Sequence, residues 1–153
     1  MTKTEQLARE IFSEQDLQDL QQAIAEAEKK TSGEIKVDFE YDVQRHPLEH
    51  AKRIFNALKL HATAHRNATL IVLFLKDRKF AILGDRGIHK HAPPNFWDSI
   101  SIRMEEQFRK GDLKEGLLLG IRELGEKLAH HFPPAPKNRN EISDRIEMGG
   151  EGI

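Results

Sequence analysis

The stretch Arg66-Asn67-Ala68-Thr69-Leu70-Ile71-Val72-Leu73-Phe74-Leu75-Lys76-Asp77-Arg78-Lys79-Phe80-Ala81-Ile82-Leu83-Gly84-Asp85-Arg86-Gly87 decides the fold. Thr69 to Leu75 is apolar and partly β-branched, the pattern of a central strand covered on both faces. Asp77-Arg78 turns the chain into Lys79 to Gly84, an antiparallel hairpin partner. No glycine is present to specify the turn type. Asp85 follows at the strand end, between Gly84 and Gly87. An acid held there can meet a ligand with exposed backbone beside it.

Upstream, Ser13 with Asp16 reads as a capping box opening a helix that runs to about Lys30. Leu17, Leu20, Ile24 and Ala27 are its apolar stripe, and Gly33 stops it. Thr4 to Phe12 is a shorter helix. Glu34 to Tyr41 alternates, with Ile35, Val37, Phe39 and Tyr41 on one face and Glu34, Lys36, Asp38 and Glu40 on the other. That pattern predicts a half-buried strand near a sheet edge. Pro47 opens the next helix, for which Leu48, Ala51, Phe55 and Leu58 form the expected buried stripe.

Downstream, Phe96, Trp97, Ile100, Met104 and Phe108 stripe one helix. Leu113, Leu117, Ile121, Leu124, Leu128 and Phe132 stripe another, opened by Asp112 with Glu115. Gly116 and Gly120 predict a helix lying close on the sheet. Pro133, Pro134 and Pro136 end regular structure. Residues 1–132 therefore read as one domain, and residues 133–153 as a proline-containing tail with Ile142 and Ile146 as anchors. The order is α, β, α, β, β, α, α, an α/β fold with a mixed sheet between helices.

The 153 residues carry a net charge of -1 with 32% charged residues. They contain no basic tract of the kind that binds nucleic acid. The lack of cysteine excludes disulfides, thiolate chemistry and Cys-type zinc sites. Met1 to Phe12 has no continuous apolar core of a signal sequence, and Ala68 to Leu75 falls far short of the roughly 20 residues a spanning helix needs. A cytoplasmic monomer without membrane insertion is expected.

A helical crossover makes the first two strands parallel, and the third runs back. One rim then collects Gly33-Glu34, Arg66-Asn67 and Gly84-Asp85. Two carboxylates and an amide oxygen there suit calcium or magnesium, so Glu34, Asn67 and Asp85 are the candidate metal ligands. A metal-bound water at that rim could serve hydrolysis. The preferred reading is plainer: Glu34 is solvated, Asn67 caps a turn and Asp85 makes an Asx turn, because residues at strand ends usually only turn the chain. His89, close behind Asp85, and Asp98, off the apolar stripe of its helix, complete the candidate rim.

His46-Pro47-Leu48-Glu49-His50 matches the H-x-x-E-H string of inverted zinc proteases. Pro47 places His46 at or before the helix cap, which spoils the alignment of the two imidazoles. The remaining histidines are scattered in pairs, and surface positions are expected for most. His89 and His91 are read as loop residues. No Walker loop, dinucleotide fingerprint, nucleophile elbow or serine triad is present, so no residue set assigns a reaction.

Several segments, in order and spacing, resemble the TPM domain, the family of thylakoid-lumen, photosystem II repair and receptor-modulating proteins. They are Thr31-Ser32-Gly33-Glu34-Ile35-Lys36-Val37, Arg66-Asn67-Ala68-Thr69-Leu70-Ile71 and Lys79-Phe80-Ala81-Ile82-Leu83-Gly84-Asp85-Arg86-Gly87-Ile88. Phe96-Trp97, Phe108-Arg109-Lys110-Gly111-Asp112, Gly116-Leu117 and His131-Phe132-Pro133 extend the likeness. Asn140-Glu141-Ile142-Ser143-Asp144 is similar to the ending of short bacterial members.

The resemblance implies an α/β/α sandwich. It also implies acid phosphatase activity in some members and calcium binding through rim acids in others. Exported or membrane-anchored relatives are linked to membrane-protein maintenance. Here His89 stands in the region where exported members carry an acid, which weakens the analogy to their metal site. The function expected is a cytosolic accessory protein with a protein partner near the membrane. A divalent-metal-assisted acid phosphatase using Glu34 and Asp85, with Asp98 as a third acid, is the alternative.

Overall fold

The computed structural model describes residues 1–134 and 142–149. In chain order its elements are α1 (Lys3–Ile11), α2 (Glu14–Glu28), β1 (Glu34–Glu40), α3 (Pro47–Ala57), β2 (Ala68–Phe74) and β3 (Lys79–Gly84). They continue with α4 (Arg86–His91), α5 (Asp98–Arg109), α6 (Leu113–His131) and β4 (Glu147–Met148). The sheet order is β3-β2-β1-β4. β1 runs parallel to β2 and β4, and β3 is antiparallel to β2. The chain is an α/β protein built on a mixed four-stranded sheet.

Helices cover both faces, so β2 is buried at every residue. Ile35, Val37, Phe39, Ile71 and Leu73 meet α1, α2, α5 and α6 in the larger core. Ala68, Leu70, Val72, Phe74 and Ala81 meet Ala51, Ile54 and Phe55 of α3 in a smaller one. The capping box of α2 is complete, with Asp16 N donating to Ser13 Oγ and Ser13 N to Asp16 Oδ2, both at 3.0 Å. A four-residue loop joins β2 to β3. Arg78 adopts a positive φ of 52° there, which takes the place of the missing glycine.

Four expectations are corrected. β1 is an interior strand, buried at all seven residues, rather than a half-exposed strand near an edge. Its polar row shares a face with α3 and lies under residues 142–149. Lys36 Nζ donates to Ser143 O at 3.1 Å and Arg145 O at 2.6 Å, and it pairs with Glu147 at 3.0 Å. Ile146 enters the larger core and Ile142 packs on the smaller one.

In α3, Ile54 is buried and Leu48 is 38% exposed, because the helix meets the sheet through its later turns. Gly116 and Gly120 face Phe108 and Met104 of α5, so their close packing is helix on helix rather than helix on sheet. Residues 86–91, read as loop, form the short helix α4, since Asp85 caps it.

Candidate functional site

The strand directions carry Glu34, Asn67 and Asp85 to one rim. Glu34 N donates to Asn67 O at 3.3 Å, and Asp85 N donates to Ala68 O at 2.9 Å. All three residues are buried. Their side chains nevertheless have separate tasks.

Asp85 faces Arg66, which holds it with two hydrogen bonds, Nε to Oδ2 at 2.7 Å and Nη2 to Oδ1 at 2.9 Å. Oδ1 also accepts from Arg86 N at 2.7 Å and caps α4. Charge-assisted, bidentate pairs of this kind are strong. The Asp85 carboxylate is therefore engaged on both oxygens and differs from a poised base or ligand.

The flanking glycines serve packing. A Cβ on Gly84 would stand 2.5 Å from the Trp97 ring, and one on Gly87 would stand 2.3 Å from His65 O. Neither glycine holds backbone open for a ligand. Asn67 Nδ2 donates to Ser32 O at 3.3 Å and ties the start of β2 to the loop before β1.

Glu34 belongs to a carboxyl group cluster that sequence reasoning missed. Glu28, at the end of α2, accepts a hydrogen bond from Ile35 N at 2.8 Å. Burial pushes Glu28 well above the usual carboxylate range, with contacts to the carboxyls of Asp144 and Glu34 as further causes. Asp144 Oδ1 is buried without a hydrogen-bond partner among the described residues. The only signal in the sequence was an acid at each of the three positions. Nothing local joins a helix end, a strand start and a residue more than a hundred positions later.

A second acidic pair lies further along β1. Burial raises Asp38, and the neighbouring Glu40 raises it further. Burial also raises Glu40, opposed by the hydrogen bond from Asp38. Burial thus favours the neutral form of both acids, and their mutual contact raises Asp38 while lowering Glu40.

His50 packs on Phe74 and lies with Nε2 3.7 Å from Glu40 Oε1. It is buried, an exception to the surface positions expected of most histidines. Its Nδ1 accepts from Gln44 N at 3.2 Å, so the ring proton sits on Nε2. Burial holds His50 below its ordinary pKa, with Arg53 as a lesser cause. His46 instead caps α3, its Nδ1 accepting from Leu48 N at 3.2 Å. The two imidazoles do not form a zinc pair.

His89 is exposed on α4. Asp98 starts α5 and lines a separate groove with Glu126, Lys127, His130 and His131. Among the described residues, no three His, Asp or Glu side chains stand ready to hold a metal ion. Glu28, Glu34 and Asp144 offer oxygen donors only, the kind calcium takes, but they are not arranged around an ion position. Asp85 does not fit that role, because Arg66 already neutralises it.

A TPM-domain family model matches residues 8–127. The chain belongs to the TPM-domain family. Among solved structures, this TPM domain is similar to the BA42 protein of the psychrophilic bacterium Bizionia argentinensis. Identity is 33%, the TM-score is 0.86, and the match covers 90% of this chain and 95% of that one. The N-terminal domain of a P. gingivalis protein matches at 19% identity and TM-score 0.65, covering 82% of this chain and 83% of that one. The N-terminal domain of Corynebacterium glutamicum cg2496 matches at 13% identity and TM-score 0.61, covering 93% and 82%. The last two likenesses concern the fold alone. No curated protein matches this TPM domain. Among its described residues, no helix is long and apolar enough to cross a membrane.

Proposed function

We propose that this TPM domain is a non-catalytic accessory module that binds another protein, working from the cytoplasm on proteins at the membrane. The observation that carries this reading is the engagement of Asp85. A phosphatase that used Asp85 with Glu34 would need a carboxylate free to bind metal or take a proton. Here Arg66 and the α4 cap occupy both Asp85 oxygens. Asp98, the third acid of that scheme, lines a different groove.

A phosphomonoesterase assay across pH, with and without magnesium or calcium, tests the reading. Wild type, Glu34→Gln and Asp85→Asn are expected to match the blank. Turnover in wild type that Glu34→Gln abolishes while keeping its Tm would overturn it.

A second reading concerns regulation of the module. Glu28, Glu34 and Asp144 are crowded but not arranged as ligands as they stand, so a hard divalent cation, calcium before magnesium, would bind by drawing these carboxyls together. The support is the upward shift of Glu28 among neighbouring carboxyls, together with the unpaired Asp144 Oδ1. A cation would relieve that crowding, and it would couple α2 and β1 to the C-terminal segment that carries Asp144.

A further inference from the structure

The two edges of the sheet are unequal. β1 is covered by β4 and the rest of residues 142–149, whereas β3 ends the sheet on the other side, with no strand beyond it among the described residues. The pairing pattern identifies which backbone groups that edge offers. Asp85 N donates to Ala68 O, and Thr69 stands opposite Gly84. The hydrogen-bonded pairs of this antiparallel ladder are therefore 68/85, 70/83, 72/81 and 74/79. It follows that the N–H and C=O groups of Phe80 and Ile82 point outward.

A groove of about 540 Å³ runs along these same residues. Pro47 at the start of α3 forms one wall, and Ser101 and Phe108 of α5 form the other. Phe80 meets Phe108 edge-on at 5.2 Å. Residues of α3 and α5 therefore flank the outward edge of β3 on both sides.

The charges at the groove favour one kind of occupant. Arg109 is neutralised by Glu105 at 2.8 Å. Arg78 and Lys79, at the start of β3, have no ion pair among the described residues.

We infer that the β3 edge is a docking site for an extended, acidic segment of a partner protein, which adds antiparallel as a further strand. The outward groups of Phe80 and Ile82 supply the main-chain bonds, as strand addition requires. Alternate apolar side chains of the partner enter beside Phe108. Antiparallel pairing sets the partner's C-terminal half at Lys79, so the acidic residues belong there, against Arg78 and Lys79. This inference rests on the binding-module reading and names its surface and the chemistry of its partner.

The test is a titration of the isotope-labelled chain with the blocked peptide acetyl-Val-Thr-Val-Thr-Glu-Asp-amide, followed by amide NMR. Shifts are expected at Phe80, Ile82 and the Ser101–Phe108 turns of α5. The same peptide N-methylated at alternate residues should not bind. The double variant Arg78→Gly, Lys79→Gln should bind at least about tenfold more weakly. Glycine suits the positive φ at position 78, and Lys79 is exposed, so that variant keeps its fold.

Three results would overturn the inference. One is no β3 shift at about 1 mM peptide, the weak limit of specific binding. Another is equal binding by the N-methylated peptide. The third is a concentration-dependent β3 shift without peptide, which would make a second copy of this chain the occupant. Peptide shifts confined to another surface would also overturn the β3 site while leaving the binding-module reading intact. Phosphomonoester turnover in the same sample would instead strike at that reading alone.

Discussion

Arg66 grips Asp85 across 19 residues of sequence, with its guanidinium bonded to both carboxylate oxygens at 2.7 and 2.9 Å. Arg66 itself sits at a positive φ of 51°, so the pair fixes a bend before β2 to the turn after β3. Asp85→Asn keeps the shape and removes the charge, and Asp85→Ala also removes the α4 cap. The lost cap alone costs about 1 kcal/mol, which lowers Tm by a few degrees in a domain of this size. Thermal unfolding by circular dichroism should rank wild type above Asp85→Asn and Asp85→Asn above Asp85→Ala. An unchanged Tm in both variants would contradict the assignment of Asp85 to structure.

The two glycines beside Asp85 should differ in tolerance. At Gly84 an added methyl meets the Trp97 ring, a side chain that can shift. At Gly87 it meets the backbone of His65 and Arg66 at 2.3 and 2.5 Å, where only the chain itself could yield. Overpacking of this kind costs about 1–3 kcal/mol. Gly87→Ala is expected at or above the upper end and Gly84→Ala at the lower. Trp97 is the single tryptophan, so its emission should move in Gly84→Ala and little in Gly87→Ala. Equal Tm values for the two variants would count against this account.

The Asp38–Glu40 pair gives stability a definite pH slope. Burial first, and Glu40 second, raise Asp38 in the folded chain. Unfolded, it ionises near pH 4. Above that pH the folded state holds a proton the unfolded state has released, so stability falls as pH rises, by about 1.4 kcal/mol per unit for one proton. His50 acts in the opposite sense. Its lowered pKa means that the unfolded state binds a proton first, so stability is lost as pH falls below about 6.5. Glu147 adds to the acid-side loss. Burial acts to raise it, but Lys36 and Arg145 outweigh burial and hold it below the usual range. Wild type should therefore lose Tm from pH 7 to pH 9. Asp38→Asn, which replaces a buried acid by a neutral isostere, should make that limb shallower, the remainder belonging to Glu28, and should steepen the acid-side loss above about pH 4. An identical alkaline slope in both proteins would rule the pair out as its source.

Calcium should stabilise the chain if Glu28, Glu34 and Asp144 receive it. A ligand at about 100 times its Kd adds about 2.7 kcal/mol, visible as an upward shift in Tm. Removing one carboxyl relieves the crowding, so Glu34→Gln should have a higher Tm than wild type without calcium and a smaller response to it. Asp85→Asn should respond as wild type does. Equal responses in wild type and Glu34→Gln would place the cation elsewhere.

Lys36 should report on the attachment of residues 142–149. Its ammonium is buried and satisfied by Ser143 O, Arg145 O and Glu147. Lys36→Met keeps the stem and deletes those bonds, leaving Glu147 without its buried partner. The cost is expected to fall below the roughly 3–5 kcal/mol of a fully buried pair, since Glu147 is 23% exposed and keeps Arg145 as a partner. Hydrogen exchange at Glu147, Met148 and Gly149 should accelerate well before exchange in β2. Uniform acceleration across the sheet would argue against a separately attached segment.

Periodicity and capping were enough to read most of the fold. The continuous apolar run placed β2 at the centre, Ser13 with Asp16 marked the start of α2, and the helical crossover made β1 and β2 parallel. Those features depend on neighbours within a few residues, where stereochemistry and burial act on the chain directly. The same logic brought Glu34, Asn67 and Asp85 to one rim, because strand direction follows from connectivity.

What each rim residue does was decided only by tertiary structure. Arg66 precedes β2 and Asp85 follows β3, and nothing in either segment says that their side chains meet. The alternation of β1 implied a wet face, but residues 142–149 cover it from more than a hundred positions away. Its polar row becomes a buried network of raised carboxyls around Lys36, while Glu28 and Asp144 join Glu34 through space. Side-chain charge is written in the sequence; burial and partner are set by the folded surroundings, and those determine whether a carboxylate caps, titrates or binds.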